Sequence, residues 1–179
     1  MHGVPAPFRR PIHFMRIDHI NIVVSDMERA VAFYRDVLGM TQSFEATLEG
    51  AWIETVTGLP DLQARCVFMQ FETGDVRLEL LQYLSPRGEN VSANRFANTP
   101  GVRHMAFETP DLDALAARLE AGGVALLSLP VTVPFLVGPQ RLTKRLCYFH
   151  DPDGTLLEAA AYSAAETSSP EPAATTRDA

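Results

Sequence analysis

The chain repeats itself. IDHINIVV (17–24) alternates and is rich in β-branched residues, as a strand is. Ser25-Asp26 then offers an N-cap to MERAVAFYRDVL, in which Met27, Ala30, Val31, Tyr34 and Leu38 fall at helical spacing, and Gly39 ends that helix. The same order returns in GVRHMAFE (101–108), in Thr109-Pro110-Asp111 and in LDALAARLEAGG, an amphipathic helix stopped by Gly122-Gly123. Placing His19 on His104 also places Asp26 on Asp111 and nearly aligns Gly39 with Gly123, a period of about 85 residues. Further strands are predicted near 40–48, 51–56, 64–71 and 76–83 after the first helix, and near 124–129, 142–149 and 155–162 after the second. A single βαβββ unit cannot cover its own sheet, so the pattern predicts an α+β fold of two tandem βαβββ modules.

Composition agrees with a globular domain. The 179 residues are 46% hydrophobic and 21% charged, enough for one ordinary domain with a core. A net charge of −7 argues against nucleic acid or an anionic membrane as the main partner. No apolar run reaches the roughly 20 residues a membrane span needs, and the N-terminus has no signal-peptide pattern, so a cytoplasmic location is expected. Cys66 and Cys147 each sit in an apolar strand-like run without a CxxC neighbour, which predicts two reduced, buried thiols. Residues 1–15 and 163–179 are proline-containing and aperiodic and are expected to be a flexible N-terminal and a disordered C-terminal tail. The single domain between them spans 16–162, with modules at about 16–84 and 101–162.

The repeat also carries chemistry. Each half has one histidine in its first strand, His19 and His104, and one glutamate in its last, Glu79 in VRLELLQY and Glu158 in TLLEAAAY. Both glutamates are followed four residues later by a tyrosine, Tyr83 and Tyr162. A carboxylate in an apolar strand is costly unless it is paired or bound to a metal. A lone strand histidine is more often a hydrogen-bonded residue than a ligand, but here the coincidence occurs in both halves. Two imidazoles and two carboxylates on a curved, mixed-sheet cleft suit one divalent ion with positions left open. Of the other histidines, His2 and His13 fall in the tail and are read as incidental.

IDHINIVVSDMERAVAFYRDVLGM, GVRHMAFETPDLDALAARLEAGGV and YFHDPDGTLLEAAAY resemble the vicinal oxygen chelate superfamily, over nearly all of 17–162. That superfamily includes glyoxalase I, methylmalonyl-CoA epimerase, extradiol dioxygenases and bleomycin resistance proteins. The His-Glu-His-Glu series is most similar to glyoxalase I and the epimerases. The resemblance implies a metal-dependent isomerase, epimerase or lyase that moves a proton α to a carbonyl through a metal-stabilised enolate. It implies Glu158 as both ligand and base, and a second acid/base carboxylate after the first helix. Glu54 in GAWIETVTG lies near that point, with Glu45 and Glu49 as fallbacks and a solvent-facing strand glutamate as its bland reading. The cofactor is one divalent ion, Zn, Ni, Co, Mn or Fe; the partners are a small acyl or oxo substrate, acyl-CoA among the possibilities, and a second copy of the chain in a homodimer.

Departures from the family narrow this. Glyoxalase I carries an arginine four residues beyond its first ligand, where this chain has Val23, so recognition of the glutathione carboxylate is in doubt. Arg141, Lys144 and Arg145 could meet a phosphate but read better as a solvated basic edge. PVTVPFLVGPQ (130–140) reads as a stiff loop that either walls a pocket or packs on the sheet, and Trp52 either lines the same cavity or fills the core. The rival enzyme is an Fe(II) extradiol-type ring-cleaving dioxygenase using positions 19, 104 and 158, with His150 and Tyr148 as the residues nearest in type to its acid/base pair. The rival outside enzymology is a non-catalytic, bleomycin-type ligand-binding protein.

Overall fold

A computed structural model describes residues 16–89, 97–98 and 100–165. The expected tails, 1–15 and most of 163–179, lie outside the described residues, as do His2 and His13. The last strand, however, runs through Ser163, past the expected end of the second module at 162. The chain divides into two compact units at Gly88/Glu89.

The first unit contains β1 (His19–Val23), α1 (Met27–Ala32), β2 (Thr41–Glu49), α2 (Ala51–Thr57), β3 (Gln63–Gln70) and β4 (Arg77–Ser85). The second contains β5 (His104–Glu108), α3 (Leu112–Ala121), β6 (Val131–Thr132), β7 (Thr143–His150) and β8 (Leu156–Ser163). Each unit builds a four-stranded mixed sheet of the same topology, β1-β4-β3-β2 and β5-β8-β7-β6. In both, the first strand pairs in parallel with the last, and the remaining pairs are antiparallel.

Helix starts follow the sequence. Asp26 and Asp111 are both extended caps whose carboxylates accept from the backbone N–H three residues on, Arg29 and Ala114, each at 2.9 Å. The first helix does not stay α-helical to its end: Phe33–Val37 widens into a π turn, closed by the Leu38 N–H donating to the Phe33 carbonyl. Met27, Ala30, Tyr34 and Leu38 are nonetheless buried, as their spacing requires. In the second unit Leu112, Leu115, Ala116 and Leu119 bury one stripe of α3, which packs on β8. Cys147 and Phe149 face Ala159 and Leu157 across the β7–β8 ladder, and all four are fully buried. Both cysteines are free and buried, as expected. No helix among the described residues is long and apolar enough to cross a membrane.

Three local expectations are corrected. The strand predicted at 51–56 is helix α2, so Glu54 stands on a helix and not in a strand. Gly50 (φ 86°) turns the chain out of β2, and left-handed Gly58 closes the helix on the Glu54 carbonyl. Tertiary packing overrides β propensity there: Ile53 buries against Leu62 and Ala64 while Val56 stays exposed. Trp52 is 59% exposed on the same helix, so it is not a core residue. The strand predicted at 124–129 is reduced to one bridge, Leu126 to Phe149, and the ladder resumes as β6 inside the segment expected to be only a loop. Prolines at 130, 134 and 139 confine that pairing to two residues.

Leu119→Ala should destabilise the protein by about 2–5 kcal/mol through the cavity left under α3. Urea unfolding followed by circular dichroism measures this, and a loss below about 1 kcal/mol would mean that the α3 face is not close-packed.

Candidate functional site

Parallel pairing of the first and last strands sets the geometry in each unit. Asn21 on β1 stands opposite Glu79 on β4, and Ala106 on β5 stands opposite Glu158 on β8. His19 and His104 each lie two residues before that partner, so they project from the same sheet face as the glutamate. His19 Nε2 is 3.5 Å from Glu79 Oε2, and His104 Nε2 is 3.4 Å from Glu158 Oε2. The next strand adds an aromatic ring at one shared register: Phe68 opposite Glu79 and Tyr148 opposite Glu158. The His19 ring meets Phe68 edge-on at 5.5 Å, and His104 lies 5.2 Å from Tyr148.

The surroundings of the two pairs then diverge. In the first unit, His19 Nδ1–H donates to Asp18 Oδ2 at 2.9 Å, and Arg77 donates to the same oxygen at 2.6 Å while its guanidinium lies over Phe68. These two hydrogen bonds hold the Asp18 carboxyl below its ordinary range. With Nδ1 directed at Asp18, the Nε2 edge of the ring is the one turned toward Glu79. Glu79 is itself held by neutral donors, Asn21 Nδ2 at 3.1 Å and the Cys66 thiol at 3.6 Å. Burial, and after it the Glu79 charge, pushes the Cys66 thiol up to about 12.

In the second unit, Glu158 is only 3% exposed, in a strand buried on both faces over 156–160. Its cationic partner is Lys144, whose Nζ is 2.6 Å from Oε1. The two form a close ion pair inside the sheet. Burial, and then the Glu158 charge and hydrogen bond, raise the Tyr148 phenol.

By donor chemistry, an imidazole and a carboxylate in each unit are of the types that ligate divalent ions, each imidazole Nε2 set against a carboxylate oxygen. Within each unit the structure brings the ligand candidates together two by two. Among the described residues there is no group of three or more His, Cys, Asp and Glu side chains that could hold a metal. Glu54 lies apart from these strands on α2, Glu45 pairs with Arg65, and Glu49 accepts from Gln63.

Sequence reasoning missed Asp18, Asn21 and Arg77, and it assigned Lys144 to a solvated edge together with Arg145. Strand alternation separates the last two. Arg145 faces the helix side and forms a two-pronged pair with Asp113 of α3, at 2.8 Å each, while Lys144 faces Glu158. The expected apolar loop leaves Phe135 67% exposed, so ordinary packing on the sheet does not describe it.

Residues 16–159 match the family profile described as Glyoxalase/Bleomycin resistance protein/Dioxygenase superfamily. The uncharacterized protein YaeR of Escherichia coli (strain K12) is 32% identical over 80% of this chain and 93% of its own length. Mouse mitochondrial methylmalonyl-CoA epimerase is 27% identical over 63% of this chain, which spans 56% of that enzyme. Among solved structures, a glyoxalase family protein from Bacillus cereus superposes with a TM-score of 0.74 at 27% identity, over 83% of this chain and 95% of that one.

The two cysteines generate a simple prediction. Iodoacetamide at pH 8 should modify neither Cys66 nor Cys147 in the native protein and both after denaturation, because both are buried with thiols shifted upward. Mass spectrometry of the labelled protein checks it, and rapid native labelling of Cys66 would mean that the strand interior around Glu79 is open.

Proposed function

Because the chain belongs to the glyoxalase/bleomycin resistance protein/dioxygenase superfamily, we propose that it is a metal-dependent isomerase, epimerase or lyase that moves a proton α to a carbonyl. In this reading His19, Glu79, His104 and Glu158 are the ligands of one divalent ion. The observation that carries it is the recurrence, at one strand register in both units, of an imidazole Nε2 facing a glutamate oxygen at 3.5 and 3.4 Å. An ion bound there supplies Lewis-acid stabilisation of the negative charge that develops on the substrate's carbonyl oxygen.

The protein's own residues divide the remaining work. Asp18 and Arg77 fix the His19 tautomer, with Nε2 free to ligate, the arrangement by which a carboxylate orients a metal-binding histidine. Asn21 and Cys66 hold the Glu79 carboxylate in place with neutral hydrogen bonds. Glu158 takes the α-proton on its carboxylate and returns it, while the Tyr148 ring and the buried strand around it keep bulk water away. Glu54 is the proposed second acid/base group, standing on α2. The substrate is a small acyl or oxo compound; the likeness to methylmalonyl-CoA epimerase makes acyl-CoA thioesters the first to try. The working assembly is a homodimer.

Elemental analysis tests the centre directly: about one transition metal per chain is expected, lost in His104→Ala. Asp18→Asn should weaken metal binding by about 10–100-fold while leaving the fold intact. Exchange of the substrate's α-proton with deuterated solvent, followed by NMR over acyl-CoA and 2-oxo compounds, tests the reaction. Glu158→Gln should lower metal affinity and slow exchange by about 10²-fold or more together. Glu54→Gln should spare the metal and slow exchange alone; no change in either would remove Glu54 from the mechanism. A native protein that holds no metal and cannot be reloaded would overturn the reading and leave a ligand-binding protein in its place.

A further inference from the structure

We propose that Lys144 is the counter-ion of Glu158 and competes with the metal for that carboxylate. The inference rests on reading Glu158 as a ligand. Its starting point is an asymmetry between two otherwise matching sheets. Lys144 stands opposite Tyr162, four residues after Glu158; the corresponding position in the first unit, opposite Tyr83 and four residues after Glu79, is Ala64. One glutamate therefore has an ammonium reaching it from that position, and the other has only a methyl group there, too short to reach.

The consequence follows from charge and burial. A carboxylate that is 3% exposed cannot remain ionised without a cation nearby. Glu158 Oε1 has the Lys144 ammonium at 2.6 Å, and that close ion pair supplies the positive charge a buried carboxylate needs. Lys144 is well placed to serve: its side chain is 19% exposed, and its ammonium lies 5.7 Å from the centre of the Tyr162 ring. A divalent ion arriving at Glu158 meets a carboxylate already paired and a like charge next to it. Both effects lower its affinity at this half of the centre. Glu79 is held by the neutral donors Asn21 and Cys66, which orient a carboxylate toward a cation without opposing it.

The test is calorimetric titration of Zn²⁺ into the metal-stripped full chain, together with its thermal melting with and without Zn²⁺. Lys144→Met and Lys144→Gln should bind Zn²⁺ about tenfold more tightly than the wild type. Their metal-free forms should melt several degrees lower, and Zn²⁺ should close that gap. Lys144→Arg keeps the charge and should bind as the wild type does. If Lys144→Met does not fold without metal, the Gln variant decides. Equal or weaker Zn²⁺ binding in the uncharged variants, with metal still bound by the wild type, overturns this proposal and leaves the metal centre standing. No Zn²⁺ binding by the wild type overturns both.

Discussion

The histidine–glutamate contact in each unit depends on a parallel strand pair. β1 and β4, and again β5 and β8, run side by side although their paired residues lie more than fifty positions apart in the chain, and no hairpin can make such a pair. The intervening helix and two antiparallel strands serve as the crossover. The pairing places a first-strand histidine two residues from the partner of a last-strand glutamate, and the rest of the site is assembled around that contact. Slipping either ladder by one residue would send the histidine and glutamate to opposite faces and leave a carboxylate inside an apolar layer without a partner.

Much of this was legible in the sequence because it is written twice. The spacing of Asp26 and Asp111 located both helix starts, and the apolar setting of Glu79 and Glu158 marked them as residues needing a partner. What stayed hidden depended on pairing between distant segments. Asp18 and Arg77 are far apart in the chain, and only the β1–β4 ladder makes them neighbours of one another and of His19. The 51–56 segment misled because its β-branched residues suit a strand, whereas its conformation is decided by Gly50, Gly58 and the packing of Ile53. Lys144 misled for another reason: beside Arg145 it looks like half of a basic edge, and only the direction of each side chain reveals two separate tasks.

The two units agree most closely where structure alone is at stake. Arg65 and Arg145 occupy equivalent strand positions on the helix side of their sheets, and each holds an acid from the first turn of its helix, Glu28 or Asp113. These acids are 85 residues apart, the period that relates the histidines. The units differ on the opposite face, around the glutamates. The scaffold of the repeat is thus kept by one packing constraint, while the surroundings of the two glutamates differ.

The adjacent cations of β7 have one more consequence. Lys144 meets Glu158 and Arg145 meets Asp113, so moving the strand by one residue could bring Arg145 to the place of Lys144 only by setting Leu146 against Asp113. The opposite slip would set Thr143 against Glu158. Either way one acid loses its cation. The first slip would also lift Cys147 and Phe149 out of the helix-covered layer and replace them with Tyr148 and His150. Two charges and two apolar side chains thus proofread the same strand.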